Sequence, residues 1–185
     1  MSIIRLLDIF LASVGLILLA PLLLFVIFFA FLDTGTPIFK QTRIGRNKKP
    51  FVLIKIRTMD AKTVSVATHL LTGNSVTKFG SLLRQTKLDE LPQLWNVVKG
   101  DMSLVGPRPG LFNQEELISA RDKKNVFDVR PGITGLAQIK NIDMSSPILL
   151  AETDAVLIKE LSIASYFKYI WLTIIARGGS NFTKE

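Results

Sequence analysis

Hydrophobic positions are distributed unevenly along the chain. Residues 9–32 contain no charged side chain, and Asp8 and Asp33 stand at the two ends of this run. At about 1.5 Å per residue, a helix over this run would be about 36 Å long, enough to cross a hydrocarbon core of about 30 Å. The run is too long for the apolar part of a cleaved signal peptide, and no small-residue cleavage site precedes a polar start. The pattern therefore predicts a membrane anchor.

A proline and the basic flanks bear on how this anchor sits in the membrane. Pro21 follows Ala20 in the middle of the run and lacks a backbone N–H, so a kink is expected there. Arg5 precedes the run, and five basic residues follow it: Lys40, Arg43, Arg46, Lys48 and Lys49. Because basic flanks favour the cytoplasmic side, two basic flanks indicate a re-entrant hairpin broken near Pro21. A plain spanning helix stays open, since proline also occurs in helices that cross the bilayer.

Beyond the anchor, short apolar stretches are interrupted by turn residues, as is typical of a mixed domain. Two strands are predicted at residues 38–41 and 51–57, joined by a basic turn. Helices are predicted at residues 77–85, 92–98, 111–124, 147–160 and 163–177, and loops or turns at 60–77, 100–110 and 129–139. The last helix mixes aromatic and basic residues, which suits a membrane interface. The predicted fold class is α+β, mostly helical, with a membrane anchor and interfacial amphipathic helices.

Composition narrows the functions that the chain could have. Its 185 residues include no cysteine and one histidine, His69, which excludes a disulfide framework and His-rich or thiolate zinc sites. His69 lies in a polar loop, and no catalytic role is expected for it. The formal charge of +8 favours an anionic partner: a phosphate-containing substrate, an anionic membrane or a nucleic acid. Because no RNA-binding signature is present, nucleic acid is not the expected partner.

Two adjacent carboxylates are the first candidate for chemistry. Asp89 and Glu90 come shortly before Pro92, which can open a helix. One carboxylate could attack a phosphoryl group and form an acyl phosphate, while its neighbour helps to bind a metal ion or position a group. The alternative is an acidic pair that only stabilises the start of a helix, where such residues are common. The dipeptide by itself leaves both interpretations open.

A rigidly framed arginine is the second candidate. Arg108 stands between Pro107 and Pro109, and the two prolines restrict the backbone around it. Gly106 permits a close approach to another group. A guanidinium held in this way suits bidentate binding of a phosphate. The alternative is a structural arginine paired with an internal carboxylate such as Asp101.

Other basic residues could also bind phosphate. Lys55 and Arg57 share one face of the second predicted strand, because side chains alternate between the two faces of a strand. Arg84 comes shortly before the acidic pair. Each could equally be a solvated charge or lie over anionic headgroups. The turn that contains Arg130 could face a nucleotide or be only a tight turn.

Five motifs, taken together and in this order, resemble the bacterial sugar transferase family, the small monotopic polyprenol-phosphate phosphoglycosyl transferases. They are FKQTRIG at residues 39–45, KIRTM at 55–59, LDELPQLWNV at 88–97, KGDMSLVGPRP at 99–109 and VRPGITGLAQ at 129–138. The resemblance covers nearly the whole chain. It implies a membrane enzyme that transfers a phosphosugar from a UDP-sugar to polyprenol (undecaprenyl) phosphate and releases UMP. This would be the first membrane step in making a glycoconjugate such as an O-antigen, a capsule or a glycoprotein.

The resemblance also implies roles for individual residues. Asp89 is the nucleophile that forms an aspartyl phosphosugar, and Glu90 is essential beside it. The required Mg²⁺ is expected at these two carboxylates. The residues expected to bind substrate phosphate are Arg108, Arg84, Lys55 and Arg57, and those expected to bind the nucleotide or sugar are Arg130, Gln138 and Lys140.

The same resemblance implies a topology and a location. Residues 1–33 are expected to form a re-entrant helix-break-helix anchor, kinked at Ala20 and Pro21. Residues 34–185 form a catalytic domain on the cytoplasmic face of the bacterial inner membrane, and this domain includes an interfacial C-terminal helix. Membrane lipids are expected partners, and a homodimer stays open.

The chain departs from the family pattern at two places. Residues 139–142 are IKNI where the family commonly has Val-Asn-Gly-Arg, so no arginine follows Gln138, though Lys140 could substitute. Ala155 and Val156 stand where paired tyrosines are usual. Without a large N-terminal membrane region, the chain resembles the short subgroup, which often uses N-acetylated amino or diamino sugars. We therefore expect an N-acetylated amino sugar as the transferred group.

Two other function classes fit the composition. A membrane-anchored module that binds anionic lipid or nucleic acid through its charge would tolerate loss of Asp89 and would release its ligand as salt increases. A membrane-bound Mg²⁺ phosphatase that uses the same aspartate would release free phosphate or sugar without a lipid acceptor.

Overall fold

The computed structural model of the chain describes residues 3–60 and 75–175. His69, most of the predicted loop at 60–77 and the end of the predicted helix at 163–177 lie outside these residues. The described part is mostly helical, with two small two-stranded sheets. This arrangement confirms the predicted α+β class.

The N-terminal helix α1 (Ile3–Thr34) is one element, with Pro21 inside it. Among the described residues it is the one helix long and apolar enough to cross a membrane. The predicted break between two helices is not seen at Pro21, because loss of one N–H donor leaves the neighbouring backbone bonds of a helix intact. Many of its large apolar side chains are exposed, among them Phe10, Ile17, Leu18, Leu24 and Phe25.

Both ends of α1 pack against the rest of the protein. Toward the N-terminal end, Ala12 is buried in a cluster that includes Val97 and Met102. Toward the C-terminal end, Val26 and Ala30 are buried in a second cluster. Helix α1 therefore lies along the domain and does not project away from it.

A buried polar network holds the N-terminal end of α1. One oxygen of the Asp8 carboxylate accepts hydrogen bonds of 2.9 Å from the Ser103 hydroxyl, the Leu104 N–H and the Tyr166 hydroxyl. Arg5 Nη1 lies 3.9 Å from the second oxygen, and the Arg5 guanidinium donates to two backbone carbonyls of the domain. Arg5 is thus buried, and not the solvated flanking charge that the topology argument from sequence assumed, because these groups replace its hydration.

The strands β1 (Ile38–Ile44) and β2 (Pro50–Ile56) form an antiparallel hairpin. Both predicted strands are confirmed, and the first is longer than predicted. A tight turn joins them, in which Asn47 and Lys48 have positive φ. The hairpin carries Arg43 on β1 and Lys55 on β2 toward the middle of the molecule.

Helices α2 (Lys78–Thr86) and α3 (Gln93–Lys99) follow, close to their predicted bounds. Thr77 caps α2, because its hydroxyl accepts a hydrogen bond of 2.8 Å from the Gly80 N–H. Helix α3 begins directly after Pro92, as a proline at the first turn favours.

The Asn96 side chain joins α3 to the free edge of β2. Its Oδ1 accepts a hydrogen bond of 3.1 Å from the Ile54 N–H, and its Nδ2 donates to the Val52 carbonyl at 2.8 Å. These are the backbone groups that a neighbouring strand would otherwise pair with. Asn96 is 1% exposed, so the contact also satisfies buried polar groups on both elements.

Two strands were not predicted. β3 (Ser103–Val105) and β4 (Gly132–Thr134) pair in parallel, inside the stretches interpreted as loops. Each has only three residues and is bordered by glycine and proline, so no two-residue alternation is long enough to indicate a strand. The pair brings the GPRP run beside the turn that follows Arg130.

The C-terminal half is built from α4 (Glu115–Asp122), α5 (Leu136–Ile139), α6 (Pro147–Glu160) and α7 (Ile163–Ile175). The predicted helix at 111–124 begins late, because the Gln114 side chain accepts a hydrogen bond from the Leu111 N–H and closes a turn there. Helix α7 buries Tyr166 and exposes Phe167 and Trp171. This two-sided character agrees with the predicted interfacial helix.

Candidate active site

Asp89 and Glu90 lie in a tight turn between α2 and α3. Lys87 has a left-handed φ of 57° and ends α2, and residues 88–90 form a single 3₁₀ turn. Leu88 packs against the apolar cluster that also contains Leu83, which fixes the turn in place. Asp89 is 5% exposed, and Glu90 is half-buried. Within the described residues no backbone amide of α3 donates to either carboxylate, so a pure capping role finds no support.

The Asp89 carboxylate lies among charges of both signs. Burial first, and then the charge of Glu90, raise its pKa to about 6. Lys55, Arg84 and Arg108 act in the opposite direction. The hydrogen bonds described for residues 3–60 and 75–175 include none to this carboxylate. The group is therefore mostly ionised at neutral pH, with both oxygens uncommitted.

Lys55 faces this carboxylate pair from β2. Burial lowers its pKa, while Asp89 and Glu90 raise it and so stabilise the ammonium. Its Nζ lies 5.7 Å from the centre of the Phe39 ring. The Arg57 guanidinium lies 5.5 Å from the same ring, which confirms that the two cations share one face of the strand. Arg57 Nε, however, donates to the Thr36 carbonyl at 2.9 Å, and Arg57 is not among the charges that shift the pKa of Asp89.

Arg84 reaches the site from the last turn of α2. Its Nε donates to the buried Thr58 hydroxyl at 2.8 Å. A side chain at Gly80 would come within 2.1 Å of the Thr58 carbonyl oxygen, so only glycine lets α2 approach the end of β2 this closely. Burial lowers the pKa of Arg84, and Asp89 raises it. Arg84 is thus held beside the nucleophile candidate.

Arg108 lies opposite, with a guanidinium nitrogen 3.7 Å from a Glu90 carboxylate oxygen. Its side chain is 44% exposed, which leaves donors open to a ligand. The alternative partner Asp101 is wrong: Asp101 pairs with Lys99 at 3.1 Å and accepts a hydrogen bond from Asn96. The acidic pair and Arg108 therefore lie close together in the structure.

Glycines allow the backbone beside Arg108 to pack on a second loop. A side chain at Gly106 would lie 2.6 Å from the Arg130 carbonyl oxygen, and one at Gly132 would lie 2.1 Å from the Gly106 nitrogen. The Gly132 N–H donates to the Pro107 carbonyl at 2.8 Å. The predicted rigidity of the loop thus has two causes: its prolines, and a backbone contact with the strand β4.

Three residues predicted to bind the nucleotide or sugar make their described contacts elsewhere. Arg130 Nε donates to the Gly100 carbonyl at 2.8 Å, and burial, Arg5 and Arg46 lower its pKa. Gln138 donates to the Ile133 carbonyl at 2.7 Å, while its own Oε1 is buried with no partner. Lys140 is exposed at the end of α5.

Sequence reasoning missed several residues that border the site. Arg43 donates to the Pro109 carbonyl, and Arg121, paired with Asp154, donates to the Arg108 carbonyl. Arg43 lies within the FKQTRIG motif, but the sequence indicates it only as one of the basic residues that follow the anchor. Arg121 lies in a helix interpreted as exposed, where nothing in the local pattern marks it as buried.

Asp89 and Glu90 are the two carboxylates of the site that could hold a metal ion. In the part of the chain that the structure describes, no group of three histidine, cysteine, aspartate or glutamate side chains is suitable for one. Mg²⁺ is commonly bound by one or two carboxylates together with substrate phosphates and water. Asp89 and Glu90 fit that donor set, and their mutual repulsion is relieved by a cation.

Comparison with known proteins agrees with the motifs. Residues 1–178 match the family described as bacterial sugar transferase. A UDP-glucose:undecaprenyl-phosphate glucose-1-phosphate transferase from Caulobacter vibrioides is 41% identical over 143 residues, covering 75% of this chain and 54% of that protein. The sugar transferase EpsL of Bacillus subtilis is 39% identical over 171 residues, covering 92% and 84%.

A further Bacillus subtilis protein carries the provisional name undecaprenyl-phosphate N-acetylgalactosaminyl 1-phosphate transferase. It is 42% identical over 108 residues, covering 57% of this chain and 60% of that protein. The chain spans 54% of the length of the Caulobacter vibrioides protein, and 35% and 41% of the length of two other curated relatives.

Proposed function

Because the chain belongs to the bacterial sugar transferase family, we propose that it transfers a phosphosugar from a UDP-sugar to polyprenol (undecaprenyl) phosphate and releases UMP. Such a transfer begins the membrane stage of glycoconjugate synthesis. The observation that carries the proposal is the Asp89 carboxylate, which is buried and lies among the charges of Lys55, Arg84 and Arg108.

The proposed reaction has two displacement steps at one phosphorus atom. An Asp89 oxygen attacks the sugar-bearing phosphorus of the UDP-sugar, the bond to the UMP oxygen breaks, and UMP leaves with the electron pair. A phosphate oxygen of the lipid then attacks the same phosphorus and expels the Asp89 carboxylate, giving polyprenyl-diphosphate-sugar. A nucleophile with a pKa of about 6 is both ionised at pH 7 and a good leaving group in the second step.

The cations around Asp89 would offset the charge of the diphosphate. Lys55 and Arg84 are held by the strand and helix that border the acidic turn, and Arg108 keeps exposed donors. Preorganised cations of this kind stabilise the charge that develops during phosphoryl transfer. In this proposal Arg57, Arg130, Gln138 and Lys140 are outlying binding residues.

Mg²⁺ is part of the proposal. The Asp89 and Glu90 carboxylates would hold it together with substrate phosphate, and it would supply charge neutralisation at the diphosphate. Removal of divalent ions by a chelator is expected to abolish UMP release, because the two carboxylates and the substrate diphosphate would then lack the cation that offsets their charge.

We further propose that both ends of α1 lie on one face of the membrane, so that the helix is a monotopic anchor on the cytoplasmic side. Ala12 and Ala30 are 18 residues apart and both pack on the same domain. If α1 crossed the bilayer, a hydrocarbon core of about 30 Å would separate its ends, and one polar domain could not contact both. An N-terminal tag and a C-terminal reporter are expected on the same face, and opposite faces would overturn the topology.

The direct test of function is UMP release from UDP-sugars with polyprenol phosphate and Mg²⁺. Asp89→Asn is expected to lower the rate at least about 10³-fold, with Asp122→Asn, an exposed carboxylate, as the matched control. Asp89→Asn preparations are checked by mass spectrometry for reversion to aspartate. Full activity of a verified Asp89→Asn protein would overturn the nucleophile.

Two outcomes would indicate the other function classes. Release of free phosphate without lipid acceptor would indicate a phosphatase, and salt-sensitive binding without any turnover would indicate a binding module.

Incubation with UDP-sugar alone is expected to leave a phosphosugar on Asp89, detectable in an intact-mass spectrum.

The transferred sugar is proposed to be an N-acetylated amino sugar. One relative carries such a sugar in its name, and another is named for glucose. A screen with UDP-N-acetylglucosamine, UDP-N-acetylgalactosamine, UDP-glucose and UDP-galactose decides between them, and a preference for either unsubstituted hexose would overturn this part of the proposal.

A further inference from the structure

Two arginine side chains hold the backbone directly after the Arg108 side chain. Arg121 Nη1 donates to the Arg108 carbonyl at 2.9 Å, and Arg43 Nη1 donates to the Pro109 carbonyl at 3.2 Å. The two donors come from β1 and α4, which are distant in sequence. They therefore clamp two consecutive carbonyls of the loop that carries a phosphate-binding candidate.

Arg121 is itself held by a buried partner. Its Nε and Nη2 donate to one Asp154 oxygen at 2.9 and 2.6 Å, and the two side chains are 3% and 1% exposed. Replacing a buried ion pair by apolar groups of similar volume is often neutral or stabilising, so stability alone does not account for it. The third guanidinium nitrogen of Arg121, Nη1, is the one that donates to the Arg108 carbonyl.

Arg43 also occupies a costly position. Its Nε is buried and has no hydrogen-bond partner. Burial, and then the like charge of Arg108, lower its pKa to about 10. An arginine placed this close to a second arginine is unfavourable in the absence of an anion, which indicates that its location serves the site.

We propose that Arg43 and Arg121, with Asp154, are positioning residues that fix the Arg108–Pro109 backbone and so hold the Arg108 guanidinium toward Glu90 and the substrate diphosphate. The inference rests on the proposed function for the identity of that substrate. The Arg108 side chain is 44% exposed, and its contact with Glu90 is long at 3.7 Å. The described contacts that fix Arg108 most closely are therefore those of its backbone.

The test is a double-mutant cycle in the UMP-release assay. Arg121→Lys keeps the charge beside Asp154 and loses the planar fork, and it is expected to lower kcat/KM about 10- to 100-fold. In an Arg108→Ala background the same change is expected to cost about twofold or less, because the residue through which it acts is gone. Equal losses in both backgrounds would overturn the proposal.

A second variant guards against misfolding. Arg121→Met combined with Asp154→Leu removes the pair without leaving a buried charge, and it is expected to keep the melting temperature while lowering kcat/KM as Arg121→Lys does. The matched control is Arg46→Lys, since Arg46 Nε also donates to a backbone carbonyl, that of Asp128, at 2.8 Å. This control is expected to leave kcat/KM within about twofold. Unchanged activity in the Met–Leu protein would overturn the proposal.

A readout that needs no turnover separates this inference from the proposed function. Hydrogen exchange of the backbone amides of Gly106, Arg108, Gly110 and Leu111 is expected to accelerate in Arg43→Lys and Arg121→Lys, and to remain unchanged in Arg46→Lys. If the native protein released no UMP, the proposed function would fail while this measurement still decided on the clamp. Unchanged exchange in both arginine variants would overturn it.

Discussion

Asp8 and Asp89 are two buried aspartates with opposite surroundings. Asp8 is 2% exposed, and its carboxylate accepts three hydrogen bonds and lies beside Arg5. Asp89 is 5% exposed, and its surroundings are a second carboxylate and cations that no described hydrogen bond ties to it. Because its carboxylate is hydrogen-bonded to residues of other elements, Asp8 joins α1 to the rest of the protein. Incomplete satisfaction leaves Asp89 with oxygens that can react, and the following predictions test that difference.

The largest expected effect on folding comes from the satisfied aspartate. Asp8→Ala leaves Arg5 and three donors without their acceptor, so we expect the free energy of unfolding to fall by about 3–5 kcal/mol. The measurement is denaturant unfolding in detergent micelles. Asp122→Ala removes an exposed pair with Lys48 and is expected to cost about 1 kcal/mol or less. Equal losses in the two variants would remove the distinction.

The incompletely satisfied aspartate is expected to respond in the opposite direction. Its folded pKa of about 6 lies above the ordinary value for aspartate, so the native state binds the proton more tightly than the unfolded state does. Its contribution to stability is therefore complete below about pH 4 and is lost as pH rises through about 6. Asp89→Asn should raise the free energy of unfolding by about 1–3 kcal/mol at pH 8, and by much less at pH 4.

This second prediction is measured by thermal unfolding without divalent ions at the two pH values. An Asn variant that is less stable than the native protein at pH 8 would show that Asp89, too, is a structural carboxylate.

A smaller effect tests one hydrogen bond of the Asp8 network. Tyr166→Phe removes a single donor and leaves the carboxylate with two others, so we expect a loss of about 1–2 kcal/mol. Tyr169→Phe is the matched control, because Tyr169 lies in the same helix and is also buried. No hydrogen bond of its hydroxyl is among those of the described residues. Indistinguishable unfolding curves would mean that the Asp8 network is held by its remaining donors alone.

The smallest predicted effect concerns the neighbour of Asp89. Glu90 raises the pKa of Asp89 through charge repulsion, second to burial, so Glu90→Gln should lower that pKa. Carbon-detected NMR titration of the Asp89 carboxyl follows this directly and needs no turnover. A rise in the pKa of Asp89 in this variant would contradict the prediction, because the effects of burial and of the nearby cations would then differ from those described.

The sequence predicted the elements that carry chemistry better than the contacts that hold them. The shared face of Lys55 and Arg57 followed from strand periodicity, and the helix starting at Pro92 followed from its proline. The roles expected for Asp89 and Arg108 followed from the family motifs. These are local signals, or signals of a pattern that spans the whole chain.

The missed features depend on partners far along the chain. Asp8 bonds residues that lie 95, 96 and 158 positions away, and a two- or four-residue period carries no record of such distances. Arg121 looks like a surface cation until Asp154 is brought to it by packing. The strands β3 and β4 are too short to show alternation, and they exist because glycines let two loops touch.

The Asp8 network also dictates an order of events during synthesis. At about 5–20 residues per second, Tyr166 is made roughly 8–30 s after Asp8, because 158 residues separate them. Once Thr34 has been made, and for the rest of that interval, the apolar helix is complete while the Asp8 carboxylate lacks its last donor. The helix can therefore reach the bilayer long before it can join the domain, and docking of α7 becomes the late event that locks the anchor to the enzyme. A chain truncated before Tyr166 should bind membranes, but its helix α1 should not dock fully on the domain, because Asp8 lacks the Tyr166 donor.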